Sequence, residues 1–311
     1  MNSIIITGAN SGIGYQCALH MAKIAPNKQL ILACRNMETG KQVLKKIQHK
    51  TGHQYAVCLH LDLTSIKSIE QFKDKISNLP FSKIEALVNN AGISCNGKTR
   101  YTQDGFELTF GTNHLGNFYL TLLLLPYMDN NGSITFTASG THDPKQKTGM
   151  PPPKFEDPQL LAYPENTHKT AMSVGQTRYT TSKLCNILTT YELQRKLKCT
   201  NIRVNAFDPG LVPSTGLTRD YSPFIRVIYD FIFIVASLIV SNINTAKKSG
   251  KQLANLAYSV NYKNAKGKYF EGEKEIKSSE ESYNHSYQAQ LWNESMKLLD
   301  IDEKNIILFK N

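Results

Sequence analysis

Tryptophan occurs once in 311 residues, and the six cysteines (Cys17, Cys34, Cys58, Cys95, Cys185, Cys199) are scattered without a C-x-x-C pair. With no His/Cys cluster at ligand spacing either, a disulfide framework and a zinc centre are both excluded. Reduced thiols in a cytosolic setting are the expectation. Acidic residues are also scarce, 25 against 36 Lys and Arg, for a net charge of +11. The basic residues are spread out and not interleaved with aromatics, so they read as a basic surface and not as a nucleic-acid interface. No apolar run reaches the roughly 20 residues that span a bilayer. The longest, Phe231 to Val240, has ten residues and is broken at Ser237. Internal repeats and low-complexity tracts are absent, and strand-like sequence from Ser3 predicts no export signal ahead of the fold.

What is present is an alternation of strand-length apolar runs with helix-length segments, the pattern of a parallel sheet covered by helices. Strands are predicted at 3–7, 29–34, 56–61, 85–90, 133–138 and 201–207, with a seventh near 267–270. Helices are predicted near 13–25, 38–50, 65–77, 112–126 and 178–198, the third capped by Thr64 or Ser65. The segment 141–176, with its "MPPPKFEDP", predicts an insertion or long loop, because successive prolines break helices and central strands. A second interruption near 214–243 contains the oily run and predicts a helical lid over an apolar pocket, or a membrane-surface contact through 224–240. No linker divides 1–311, so one α/β domain with a doubly wound parallel sheet of about seven strands is expected.

"TGANSGIG" (7–14) joins the first strand directly to the first helix. In that context Gly8 permits the turn, Gly12 lets the backbone approach a pyrophosphate and Gly14 allows close packing, while the helix N-terminus offers N–H groups to phosphate. The second strand ends in "LILACRN" (30–36), which lacks the carboxylate that grips a ribose 2′-hydroxyl and supplies Arg35. A guanidinium suits a 2′-phosphate, so NADP(H) is the expected cofactor. Tyr179 and Lys183 are four apart on the fifth helix, off the centre of the apolar stripe Leu184, Ile187, Leu188 and Tyr191. Packing alone does not account for that pair.

The ordered set "TGANSGIG", "LDL" (61–63), "NNAG" (89–92), "NHLGNF" (113–118), Ser139, Tyr179 with Lys183, and "DPG" (208–210) resembles the short-chain dehydrogenase/reductase family over nearly the whole chain. The resemblance implies a single-domain Rossmann fold and four catalytic residues. Tyr179 would be the general acid, Ser139 would hold the substrate oxygen, and Lys183 would bind the nicotinamide ribose and favour the phenolate by its charge. Asn113 would anchor a relay water. It further implies cofactor contacts from Gly8, Asn10, Ser11, Gly12, Ile13 and Gly14. Others would come from Asp62 and Leu63 at the adenine, Asn89, Ala91 and Gly92 at the adenosine ribose, Pro209, Gly210 and Val212 at the carboxamide side, and Ser214 or Thr215 from the lid side. For Asn89 a plain strand-end turn remains open, and His114 beside Asn113 reads as structural. Local sequence around "PPPKF", "YTTSKLCNILT" and "STGLTRDYSPFIR" is similar to the protochlorophyllide oxidoreductase and retinol dehydrogenase branches. Leu211 departs from the former, which carries cysteine after Pro-Gly. The expected activity is NADPH-dependent reduction of a bulky apolar carbonyl or conjugated C=C, with protochlorophyllide reduction as one alternative. A non-catalytic dinucleotide sensor or a membrane-surface binding protein is the alternative from another class. Oligomeric state is not read from the sequence.

Overall fold

A computed structural model describes residues 1–80, 83–165, 171–212 and 244–302. The strands β1 (Ser3–Thr7), β2 (Gln29–Cys34), β3 (Ala56–His60), β4 (Ile84–Asn89), β5 (Met128–Thr137), β6 (Arg203–Asp208), β7 (Lys268–Glu271) and β8 (Lys274–Ile276) form one sheet in the order β3-β2-β1-β4-β5-β6-β7-β8. All neighbours are parallel except the β7–β8 pair. The eighth strand corrects the expected count of about seven. Its three residues, two of them charged, carry too little apolar signal to be read as a strand.

Helices cover both faces: α1 (Gly12–Ile24), α2 (Met37–Thr51), α3 (Ile66–Ser77), α4 (Leu108–Phe110), α5 (Asn117–Leu124), α6 (Pro158–Ala162), α7 (Ala171–Lys196), α8 (Ala246–Tyr258) and α9 (His285–Leu298). Alternation along β1 shows the layering. Ile4 and Ile6 pack with Cys17, Ala18 and Met21 of α1 and Leu253 of α8, whereas Ile5 packs with Phe72 of α3 and Leu184 and Leu188 of α7. Because β1 and β2 are buried on both faces, their sequences are almost continuously apolar. Ser65 caps α3 through Ser68 N (3.3 Å), and Asn36 caps α2 through Thr39 N (3.0 Å).

Three boundaries differ from expectation. The predicted helix at 112–126 is broken: a π-helical turn, Gly111–Gly116, separates α4 from α5. Helix α7 begins at Ala171, so the end of the expected 141–176 insertion belongs to the catalytic helix. Asp157 and Pro158 start α6 as N-cap and first residue, a position proline favours. The remaining loop is tied down where Lys154 N donates to Thr181 Oγ1 (2.9 Å). The expected lid at 214–243, with Ser214 and the 224–240 contact, lies outside the described residues.

Candidate active site

The strand-turn-helix at the N-terminus builds a narrow cradle. Gly8 and Gly12 take positive φ (64° and 54°), and a Cβ on Gly14 would collide with the Gly8 carbonyl and come 2.6 Å from Asn90 Nδ2. Only glycine fits there. Asn10 donates to Thr39 Oγ1 (3.0 Å), tying the loop to α2, and Ile13 packs partly buried against the α1 core. Ser11 is the N-cap of α1, yet its hydroxyl makes no capping bond and stays exposed. Asn90 bonds Thr7 O (2.9 Å), and Ala91 N donates to Thr7 Oγ1 (2.9 Å), so the end of β4 is stitched to the cradle.

Three cofactor expectations sit along the sheet's C-terminal edge. Arg35 is exposed immediately after β2. Asp62 accepts from Thr64 N (3.0 Å) and Thr64 Oγ1 (2.8 Å) through one oxygen only, while Leu63 is buried in the core. Asn89 is buried; its amide donates to Thr121 Oγ1 (2.8 Å), and its Oδ1 has no partner. A buried acceptor without a donor is costly, and a ribose hydroxyl would satisfy it. With the glycine cradle and the free Ser11 hydroxyl, these residues fit a dinucleotide. Gly210 (φ 72°) makes the turn after β6, the Pro209 carbonyl accepts from Asn244 Nδ2 (2.9 Å) and Ser249 Oγ (2.8 Å), and Val212 is buried.

The catalytic candidates converge at this edge. A Cβ on Gly92 would stand 3.1 Å from Asn113 Oδ1 and 3.6 Å from Lys183 Nζ, which places the lysine at the mouth of the cradle. Lys183 Nζ donates to Thr137 O (3.0 Å) and lies 5.4 Å from the centroid of the Tyr179 ring. Both side chains are only 5% exposed. Their burial departs from the expectation of a face turned off the core: every residue of α7 from Tyr179 to Thr190 is buried. Its hydroxyls pay for this internally, as when Thr190 Oγ1 donates to Asn186 O (2.8 Å).

Burial also reverses one expected electrostatic effect. The Tyr179 phenol is pushed well above its ordinary value by desolvation and by Asp208, with the Ser139 hydroxyl pulling the other way. Lys183 is lowered to about 8 by desolvation, partly offset by Asp208. The protein alone therefore holds the phenol protonated, the state a general acid needs, and does not favour the phenolate. Ser139 lies two residues beyond β5, half-buried, and accepts from Thr141 N (3.3 Å).

Asn113 is buried and bonded on both sides of its amide. Its Oδ1 accepts from Ile93 N (2.7 Å), and its Nδ2 donates to Ile93 O (2.8 Å) and Ser182 Oγ (2.9 Å). Both amide hydrogens are spent clamping the 91–93 loop to α7, while Oδ1 keeps one acceptor site. The π-helical turn presents the amide for that clamp, as such turns often do at functional sites. His114 is buried as expected of a structural residue, bonding Ser295 Oγ (2.7 Å) and lowered to about 3 by desolvation.

Sequence reasoning missed Asp208, which was read only as part of a turn motif. It is 1% exposed, accepts from Gly210 N and Tyr269 OH (2.9 Å each), and is raised to about 6 by burial. A carboxylate buried beside a lysine and a tyrosine is a signal of function that only the fold reveals.

The family model described as short chain dehydrogenase matches residues 2–149. Retinol dehydrogenase 13 of Homo sapiens is 33% identical, covering 98% of this chain and 86% of its own length. The chain belongs to the short-chain dehydrogenase/reductase family. Chloroplastic protochlorophyllide reductase of Chlamydomonas reinhardtii is 31% identical over 96% of this chain and 77% of its own. Among solved structures, an actinorhodin polyketide ketoreductase determined with NADPH superposes at a TM-score of 0.66 and 22% identity, over 87% of this chain and 95% of that one. As a family member the protein is an oxidoreductase of the nicotinamide-dinucleotide class. Among the described residues no helix is long and apolar enough to cross a membrane, and no group of three or more His, Cys, Asp or Glu is placed to hold a metal.

Proposed function

We propose that this protein is an NADPH-dependent reductase of bulky apolar carbonyl compounds. The observation that carries the reading is a buried, protonated Tyr179 beside Ser139 and Lys183 at the mouth of the glycine cradle. When bound, NADPH supplies the reducing equivalent from its nicotinamide. The chain's own residues do the rest. Ser139 orients the substrate oxygen, Tyr179 delivers its proton there as charge builds on the oxygen, and Lys183 holds the ribose hydroxyls and offsets the developing phenolate. Arg35, with no carboxylate from Leu30 to Asn36, supports preference for the 2′-phosphate.

Apolar substrates are supported by large apolar side chains left exposed on the segments before and within α7 and after β6. Tyr101, Tyr163, Met172 and Leu211 are all large apolar residues left about half exposed. Tyr163 packs on Phe106 (5.7 Å between centroids), and Tyr101 pairs with Glu107, so the first two sit on neighbouring segments. Apolar surface of this kind marks a binding region. The second reading, reduction of a conjugated C=C as in protochlorophyllide, is favoured by the "PPPKF" and "YTTSKLCNILT" stretches and disfavoured by Leu211, which offers no thiol.

The test is a panel of retinoid, steroid, quinone and small charged carbonyls with NADPH, plus protochlorophyllide in darkness and light. Apolar ring or polyene carbonyls are expected to turn over fastest. Faster turnover of small charged carbonyls refutes the substrate class, and Tyr179→Phe retaining full activity refutes the mechanism.

A further inference from the structure

We propose that Asp208 is a positioning residue that fixes the charge state of the Tyr179–Lys183 pair. The inference rests on the reductase reading above but concerns a residue outside the Tyr, Lys, Ser and Asn set. Sheet register pairs Thr137 with Phe207, and Ala138 N donates to Phe207 O (2.7 Å). Asp208 therefore flanks the Ser139–Gly140 turn on one side and Glu271 of β7, its own register partner, on the other. Its carboxylate accepts from Gly210 N and Tyr269 OH, and a Cβ on Gly140 would stand 3.1 Å from Asp208 Oδ2. One side chain thus joins the turn bearing Ser139 to the turn bearing Pro209 and Gly210. Tyr269 in turn packs on His142 (4.9 Å between centroids), whose Nδ1 lies 2.7 Å from Ser139 O.

Among the described residues, the charged and titratable groups facing Asp208 are Tyr179 and Lys183 from α7, the lysine held on the Thr137 carbonyl opposite Phe207, and Tyr269 and Glu271 from β7. Lys183 is the sole cation among them. Ionised Asp208 favours the ammonium and disfavours the phenolate, and it acts within a buried site where solvent screens little. Between about pH 6, where Asp208 ionises, and about pH 8, where Lys183 loses its proton, the site holds carboxylate, ammonium and neutral phenol together. A turn anchor without electrostatic duty would, when replaced by asparagine, lower the rate evenly and leave the Lys183 midpoint unmoved.

The experiment follows the ε-carbon of Lys183 by NMR in protein labelled with carbon-13 lysine, the peak being assigned by its loss in Lys183→Arg. The wild type is expected to titrate near pH 8 with a smaller inflection near 6. In Asp208→Asn the inflection vanishes and the main midpoint falls by about one pH unit, the size expected for losing a buried opposite charge. Tyr269→Phe keeps the carboxylate, removes one of its donors and moves the inflection upward, so the inference remains testable should Asp208→Asn fail to fold. In the pH profile of turnover, Asp208→Asn is expected to lose the acid limb and shift the alkaline limb downward. An unmoved Lys183 midpoint, or a rate lowered by one factor at every pH, overturns the proposal. A moved midpoint in a protein that reduces nothing on the substrate panel supports it and counts instead against the reductase reading.

Discussion

Replacing Lys183 by methionine is expected to stabilise the protein at neutral pH while abolishing its activity. Burial lowers this lysine from 10.5 to about 8, so at pH 7 the fold bears the cost of an ammonium it would prefer to release. At about 1.4 kcal/mol per pH unit, that cost is about 3 kcal/mol. Methionine fills similar volume without charge. The loss of the bond to Thr137 O returns about 1 kcal/mol, softened because Asn186 Nδ2 still serves that carbonyl at 3.1 Å. Stripping Asp208 of its opposite charge returns a further part. The net expectation is a gain of about 1 to 2 kcal/mol, or roughly 2 to 4 °C in Tm for a chain of this size. The sign with pH follows from linkage: the unfolded lysine binds its proton more tightly, so the penalty is complete below about pH 8 and disappears as pH rises toward 10.5. Urea unfolding of both proteins from pH 7 to 10 measures this. A variant less stable than wild type at pH 7, or a difference that does not shrink above pH 8, refutes the reasoning.

Arg35→Ala is expected to weaken NADPH binding by about 10- to 100-fold, the value of one or two charge-assisted hydrogen bonds, while leaving NADH nearly unchanged. Fluorescence titration with both dinucleotides checks this, and parallel losses for the two would remove the 2′-phosphate assignment. Gly14→Ala pushes a methyl into the Gly8 carbonyl and is expected to abolish binding of both cofactors, with overpacking costing about 1 to 3 kcal/mol of stability by denaturant unfolding.

The strands of the sheet's centre were legible because they are apolar on both faces: β1 and β2 fall at 3–7 and 29–34 as read from sequence. Towards the C-terminus β7 was read near 267–270 and found at Lys268–Glu271, but α8 and β8 were not read. Helix α8 opens with "AKKSGKQ", whose lysines conceal Leu253 and Leu256 on its buried side, and β8 is too short to show a period. The π-helical turn leaves no mark in composition, since it depends on where Asn113 and Asn117 find partners and not on which residues they are. Tyr179 and Lys183 were singled out by spacing, but the burial that raises the phenol and lowers the amine was not readable. Spacing reveals which charges are neighbours but not how dry their surroundings are. Asp208 illustrates the same gap, because its role follows from a strand register that brings residues 137 and 207 side by side.

The antiparallel strand β8 also governs how copies of this chain meet. Folded back over β7, it leaves that margin of the sheet with only Lys274, Glu275 and Ile276, the first two exposed. A neighbouring molecule adding its own strand there would gain few backbone bonds and would have to align charges on both sides. Growth of a shared sheet through this margin is thereby discouraged.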